Sequence, residues 1–321
     1  MITPPLSPAV LLTDPPAWPE GLARPVFTIG NFDGVHRGHQ ALIESAAALA
    51  GAEGGLPFVL TFDPHPRLYF KRSPEPFTLT SPDLKAEAAV AAGARGMVTL
   101  TFDAALAALT ARDFVEAVLR DRLNCRGIVV GQDFQFGRGR EGSAATLASL
   151  GSELGIPVIV LPPVLVEGEP ASSSRVRQAL SAGDMAAANR LLGRPWKIRA
   201  VVAHGDKRGR LLGYPTANLL LERNAGLRYG IYAVRAAIGG VTHQAVASFG
   251  SRPTFDNGAP RLEVHLFDFA GDLYGQTMDV EFIGRIRPEL KFDGVEPLIR
   301  QMDEDSRLAR EMLKRSGAHP V

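Results

Sequence analysis

Val26–His39 reads VFTIGNFDGVHRGH, and the remainder of the chain is best understood from it. A short β-branched and aromatic run ends at Gly30, and a turn containing Gly and Asp follows. Two histidines, His36 and His39, then lead into the Ala-rich segment Gln40–Ala50. This order predicts a strand feeding a loop that opens a helix. A helix start carries backbone N–H groups without intrahelical partners and the positive end of the dipole, so histidines projected there would cradle phosphate oxygens.

From Val26 to about Val160, short apolar runs alternate with helical patterns. Strands are expected at Val26–Ile29, Pro57–Phe62, Gly96–Leu100, Gly127–Val130 and Pro157–Leu161, with helices at His39–Ala50, Pro82–Ala92, Ala111–Arg122 and Ser143–Leu154. Apolar strands without strict alternation, separated by helices, argue for a parallel sheet covered on both faces. Ligands on such sheets bind beyond the carboxyl ends of the strands, where the His36–His39 loop would lie. Two further stretches converge there. TFDPHP, Thr61–Pro66, follows the second strand and GQDFQFGRGREG, Gly131–Gly142, follows the fourth. Phe62, Phe134 and Phe136 on these loops would stack on a planar ring or cap the core, and the residues alone leave both readings open. Gly137, Gly139 and Gly142 also spell GxGxxG, but a dinucleotide fingerprint joins a strand directly to a helix, and the intervening residues argue against a nicotinamide cofactor. Further on, ASSSRVR at Ala171–Arg177 offers hydroxyls, an N-cap and two guanidinium groups, fitting either a phosphate clamp or an ordinary capped helix.

After Leu192 the pattern changes. GRPW at Gly193–Trp196 ends the helical run, and β-rich segments follow at Lys197–Ala203, Gly230–Ile238, Val241–Phe249, Arg261–Phe269 and Met278–Ile286. Turn residues such as Asp256-Asn257-Gly258 punctuate them, which predicts a small antiparallel barrel or sandwich. A closing helix with apolar Val295, Leu298, Ile299, Met302, Ala309, Met312 and Leu313 would pack on it. Within this half, HGDKRGRLLGYPTAN at His204–Asn218 combines Gly205, Gly209 and Gly213 with Lys207, Arg208 and Arg210, while Thr216 and Asn218 offer oxygens suited to a hard cation. A magnesium nucleotide fits this set, as does a solvated basic hairpin. In RLEVHLFDFAGDLYG, alternation puts Glu263 and His265 on one face and Leu262, Val264 and Leu266 on the other. An inward carboxylate would be a candidate base; an outward one would be a surface ion pair.

Composition limits the alternatives. At 321 residues the chain is near two ordinary domains. Lys plus Arg number 35 against 34 Asp plus Glu, so no overall field draws nucleic acid or an anionic membrane, and any anion must be bound by local arrangement. The one cysteine, Cys125, excludes an internal disulfide and multi-thiolate zinc, and is expected to be a small buried apolar side chain. No run reaches a membrane-spanning length and no signal-like N-terminus is evident, so a cytoplasmic protein is expected.

Together the motifs resemble the prokaryotic bifunctional riboflavin kinase and FAD synthetase family, from about Val26 to Leu313. GNFDGVHRGH, TFDPHP, GQDFQFG and SSSRVR resemble its adenylyltransferase motifs in order, and GYPTAN and LEVHLFDFAGDLYG its kinase motifs. The resemblance implies a Rossmann-like nucleotidyltransferase domain at 1–188 and a riboflavin kinase β-barrel with a closing helix at 189–321. In the first, Gly30, Asn31, Asp33, His36, Gly38 and His39 would bind ATP, Ser173, Ser174 and Arg177 would clamp its far end, and Phe62, Asp133 and Phe136 would line the site for FMN. In the second, Gly205, Gly209, Gly213, Thr216 and Asn218 would bind ATP, Thr216 and Asn218 would hold Mg2+, and Glu263 would be the base that prepares riboflavin. The chain would turn riboflavin into FMN and FMN into FAD, with neither nucleic acid nor membrane as partner and oligomeric state left open. Four positions depart from the family pattern: Pro170 where some members carry arginine, Ala171 where Ile or Val is usual, Ser174 closing Ser172-Ser173-Ser174 where SST is usual, and Ser248 where many carry Asn. A kinase with impaired adenylyl transfer, or a flavin- or nucleotide-sensing protein, are the competing readings.

Overall fold

The computed structural model describes residues 9–70, 78–204, 213–221, 226–251 and 260–318. Gly205, Lys207, Arg208, Gly209, Arg210 and the Asp256–Gly258 turn lie outside the described residues. The chain forms two compact units, residues 1–76 with 82–171, and residues 77–81 with 172–321.

In the first unit β1 (Val10–Thr13), β2 (Pro25–Ile29), β3 (Leu56–Asp63), β4 (Gly96–Thr101) and β5 (Gly127–Gly131) join a later strand, Val158–Leu161, in one sheet. Short hairpin strands β6 (Gln135–Phe136) and β7 (Gly142–Ser143) precede that strand, which is therefore β8, and β9 (Leu165–Val166) and β10 (Glu169–Pro170) follow it. The sheet order is β1-β4-β3-β2-β5-β8, and every pairing is parallel. Helices α1 (Arg37–Glu53), α2 (Pro66–Tyr69), α3 (Pro82–Ala91), α4 (Ala104–Ala108), α5 (Ala111–Asp113) and α6 (Ala144–Leu154) connect the strands, with a π-helical stretch at Phe114–Arg122. The fold class expected for this half is the one observed.

The two faces of β2 show why its sequence is apolar throughout. Phe27 and Ile29 enter a core with Trp18, Phe58, Leu60 and Val130, while Val26 packs with Ala46, Ala50 and Val129 under α1. Buried on both sides, such a strand cannot alternate. Trp18 meets Phe27 and Phe58 edge-on at 5.9 and 5.0 Å, the arrangement that ring quadrupoles favour. Strand β1 was not expected from the sequence, because four residues in a proline-rich stretch carry little pattern. It is placed by β4: Asp14 accepts from Thr101 N at 2.9 Å and from its hydroxyl.

Two features follow the sequence expectation at loop level. The GxGxxG glycines fall in the β6–β7 hairpin rather than at a strand-to-helix junction, so no dinucleotide turn forms there. Cys125 is fully buried and its thiol is pushed up to about 12 by desolvation, as befits an apolar filler.

In the second unit α7 (Ser173–Ala182) and α8 (Met185–Leu192) precede a closed barrel. Its strands are β11 (Trp196–Ala203), β12 (Ala217–Leu220), β13 (Gly230–Ile238), β14 (Val241–Ser251), β15 (Pro260–Leu266) and β16 (Thr277–Arg287), in the order β11-β12-β15-β14-β13-β16, all antiparallel. Five of the six were expected; β12 was hidden behind the Gly-Tyr-Pro-Thr turn. Helix α9 (Val295–Ala318) closes the unit, and Ala309 and Leu313 pack on Ala233 and Phe267. A fully buried Leu is worth about 1.5–3 kcal/mol, so a few such contacts suffice to dock the helix. Arg287 of β16 grips Asp305 of α9 through both guanidinium N–H groups, at 2.8 and 2.5 Å.

Candidate active sites

The first site is built at the carboxyl end of β2. Gly30 N donates to Leu60 O at 3.1 Å, keeping the chain in the sheet for one more residue. The backbone then turns through the left-handed region, with φ of 50° at Phe32, 84° at Gly34 and 42° at Val35. Such values strain side-chain-bearing residues. The strain is held because Phe32 and Val35 are fully buried, packed with Ile43, Val59 and Ala89. His36 is the N-cap of α1 and His39 lies within its first turn. Their rings stack with centroids 3.7 Å apart and an interplanar angle of 22°, and Phe32 packs on His39 at 4.7 Å. Gly38 makes this possible, since a Cβ there would lie 3.1 Å from His36 Cε1. The helix begins two residues earlier than the sequence pattern indicated, which places both imidazoles at its positive end.

Around this turn, Asp33 is buried at 3% exposure and Asn31 is half-buried. Thr61 Oγ1 donates to the Asn31 carbonyl at 3.1 Å, and Lys85 Nζ donates to the same oxygen at 3.0 Å. Neither Thr61 nor Lys85 was singled out as a site residue from sequence. Lys85 sits in an alanine-rich helix where nothing distinguishes it from a solvated lysine.

The expected flavin residues separate by environment. Phe62 packs partly on the core and meets Phe102 edge-on at 6.0 Å. Asp133 is exposed, whereas Phe136 is 8% exposed, belongs to the core and stacks with Phe134 at 5.4 Å. Phe136 therefore shows the core-capping side of the two readings left open. Ser173, Ser174 and Arg177 all lie on α7 in the second unit. Ser172 is the cap, its Oγ accepting from Arg175 N at 3.3 Å, which leaves Ser173 and Ser174 in the first turn.

The second site lies on the barrel. Register sets Asn218 of β12 directly opposite Glu263 of β15, and Glu263 directly opposite Ser248 of β14. Directly opposed residues share a face, so the three side chains form a row. Leu262 and Val264 are fully buried and Leu266 nearly so, and therefore fill the interior. Glu263 and its row consequently occupy the outer face. Of the two faces the sequence left open, Glu263 takes the outer one: the interior is packed apolar core, and a carboxylate there would be left without partners. Asn218 is nonetheless only 9% exposed, and its amide Nδ2 donates to Thr216 O at 3.5 Å.

The barrel also carries a cavity of about 490 Å³ lined by Val202, Thr216, Leu266, Phe269, Asp272 and Tyr274. That volume lies in the range of small-ligand pockets. The His204 ring lies 3.9 Å from that of Tyr274 at its edge. Gly213 supplies the positive φ of 81° that turns the chain into β12. Tyr214 hydrogen-bonds Asp303 of α9, and burial together with that carboxylate raises its phenol to about 12. His265 Nδ1 lies 2.9 Å from Pro215 O. Among the described residues no group of three acidic, histidine or cysteine side chains is arranged to hold a metal unaided.

The chain thus carries a parallel sheet with two stacked histidines at the start of the helix after β2, and a closed barrel with a polar outer row, and comparison with known proteins gives its class, a two-site nucleotide-using transferase. The FAD synthetase family profile matches residues 19–175 and the riboflavin kinase profile residues 192–313. The bifunctional riboflavin kinase/FMN adenylyltransferase of Pseudomonas fluorescens is 40% identical over 291 residues, covering 89% of this chain and 92% of that protein. Its Bacillus subtilis counterpart is 36% identical, covering 90% and 93%. A crystal structure from Streptococcus pneumoniae, described as a macrolide-efflux protein, superimposes with a TM-score of 0.83 at 34% identity, covering 94% of this chain and 98% of that one. No described helix of the present chain is long and apolar enough to cross a membrane. The chain belongs to the bifunctional riboflavin kinase/FMN adenylyltransferase family, with the adenylyltransferase half first and the kinase half second.

Proposed function

We propose that the two transfers run at the two sites described, with Glu263 serving only the kinase and His36 and His39 only the adenylyltransferase. The observation that carries this reading is the register that sets Asn218, two residues after Thr216, directly opposite Glu263. In the kinase half, the ribityl 5′-oxygen attacks the γ-phosphorus of ATP, its proton passes to the Glu263 carboxylate, and the bond to the β-phosphate oxygen breaks to release ADP. A hydroxyl is not ionised at neutral pH, so a base here accelerates the step. Thr216 and Asn218 offer neutral oxygens that suit Mg2+ arriving with the triphosphate, which would supply charge neutralisation. Gly213, with Gly205 and Gly209, belongs to the loop assigned to cover the phosphates.

In the adenylyltransferase half, an FMN phosphate oxygen attacks the α-phosphorus of a second ATP, the α–β bridge breaks and pyrophosphate leaves. The FMN phosphate is already ionised at neutral pH, so no base is required. Asn31, His36 and His39, with the backbone about Gly30, Asp33 and Gly38, bind the phosphates at the start of α1; Ser173, Ser174 and Arg177 clamp the departing end. Phe62, Asp133 and Phe136 line the FMN site, Phe136 from its place in the core. The functional division falls at 188/189. Substrates of this chemistry, a near-neutral charge and one unreactive thiol support a cytoplasmic enzyme with no nucleic-acid or membrane partner.

The test is to incubate pure protein with riboflavin, ATP and magnesium and to resolve the flavins. Glu263→Gln should slow FMN formation by about 10²–10⁴ and leave FMN-to-FAD conversion nearly intact. His36→Ala should slow FAD formation by about 10²–10³ and spare FMN formation. A folded variant that loses both steps would overturn the separation of the sites.

A further inference from the structure

Lys85 belongs to none of the motifs, yet it reaches the turn that carries them. Its Nζ donates to the Asn31 carbonyl at 3.0 Å and lies 3.5 Å from Thr61 Oγ1, whose hydroxyl donates to the same carbonyl at 3.1 Å. One carbonyl oxygen thus takes two donors, one from α3 and one from β3. That oxygen belongs to the peptide joining Asn31 to Phe32, where the chain enters the left-handed region. A side-chain-bearing residue held there is strained, and both Phe32 and Val35 are so held. The buried rings and methyls of Phe32 and Val35 anchor the far side of the turn, and the Lys85–Thr61 clamp fixes its entry.

The charge of Lys85 also has a setting. Burial draws its ammonium below the ordinary lysine range, and the carboxylates of Asp33 and Asp63 oppose that draw. A lysine needed only to fasten α3 to the sheet gains nothing from this environment that an apolar side chain would not give more cheaply. A cation that grips one particular backbone oxygen fixes the direction of the Asn31 peptide, and every residue after it.

We propose that Lys85 is a positioning residue of adenylyl transfer: together with Thr61 it clamps the Asn31 carbonyl and so sets the strained turn that aims Asn31 and His36 at the ATP phosphates. The inference rests on the assignment of those two residues to ATP.

The experiment measures both reactions on the full chain carrying Lys85→Met, Thr61→Val or His36→Ala. Misplacing a catalytic group by about 1 Å costs up to about 10²-fold, so Lys85→Met should lower kcat for FAD formation by about ten- to a hundredfold. KM for FMN should stay within about twofold, and riboflavin phosphorylation by the same preparation should be unchanged. Thr61→Val, which removes one donor and keeps the shape, should give a smaller loss of the same kind. Lys85→Met with wild-type kcat overturns the proposal, as does a loss that appears in KM alone. If Lys85→Met also loses phosphorylation and so fails as a folded protein, Thr61→Val decides: reduced kcat at unchanged KM supports the clamp, and wild-type kcat overturns it. Full FAD formation by His36→Ala would instead sink the underlying ATP assignment and leave the geometry of the clamp untouched.

Discussion

Single residues in this chain act through the backbone they sit on. Glu263 was legible as a candidate base from alternation in RLEVHL, but alternation has two faces and does not say which is wet. The barrel settles it, because Leu262 and Val264 are fully buried and the glutamate must take the other side. His36 and His39 were legible because spacing of three at a helix start brings two rings together, and they stack at 3.7 Å. Lys85 was not legible, since its role depends on a carbonyl 54 residues away in sequence. Cys125 gives a residue-scale prediction. With its thiol fully buried and pushed up to about 12, almost no thiolate exists at pH 8, so an alkylating reagent should leave the native protein unlabelled and label it fully in denaturant. Labelling of the native protein as fast as the denatured one would show that this side chain is not the sealed filler described.

At the scale of elements, strand pairs are fastened by side chains as well as by ladders. Arg199 of β11 faces Asp279 of β16 in register, with guanidinium N–H groups 2.5 and 2.7 Å from the carboxylate, and Lys197 adds a third donor at 3.0 Å. Burial raises the Asp279 carboxyl, but the Arg199 and Lys197 hydrogen bonds outweigh it and hold the group below its ordinary 3.8. A carboxyl lowered in the folded state contributes stability that is present in full above 3.8 and is lost as pH falls through the lower native value. Asp279→Asn should therefore cost about 1–2 kcal/mol at pH 7, discounted for partial exposure, and the difference from wild type should shrink as the pH drops below 3.8. Denaturant melts at pH 7 and pH 3 measure this; an equal difference at both would refute the charge-assisted link. Two strands of the main sheet and the barrel were missed from sequence: β1, four residues in a proline-rich stretch, and β12, four residues directly after the Gly-Tyr-Pro-Thr turn. Each pairs with a longer strand, β4 for the one and β15 for the other.

On the scale of the whole molecule, the order of the chain and the order of packing differ. Residues 77–81 precede α3 in sequence yet belong with the barrel unit, where the Trp196 indole N–H donates to Leu79 O at 2.9 Å and Leu79 is 2% exposed. Truncating a buried leucine costs about 2–5 kcal/mol. Leu79→Ala should accordingly lower the temperature at which riboflavin phosphorylation is lost on heating, although the residue lies in the stretch of sequence assigned to adenylyl transfer. Heat inactivation of the two activities, followed separately, tests this; a kinase midpoint equal to wild type would contradict it.

Sequence alone was enough for the plan of parallel sheet and antiparallel barrel and for the order of the two activities. Those features rest on local rules: period-2 and helical spacing, turn residues, helix starts and short motifs. Tertiary structure decided which face of β15 is interior, that Phe136 sits in the core, that the GxGxxG glycines make a hairpin, and that Lys85 and Thr61 meet at one carbonyl. Each of these depends on contacts between residues far apart in the chain, and side-chain burial and hydrogen-bond partners are properties of those contacts, not of the local pattern. The stretch from Val26 to His39 shows both: its letters announce a strand, a turn and a helix start, while the strain in that turn is held by Phe32 and Val35 in the core, and a lysine from another helix grips its entry.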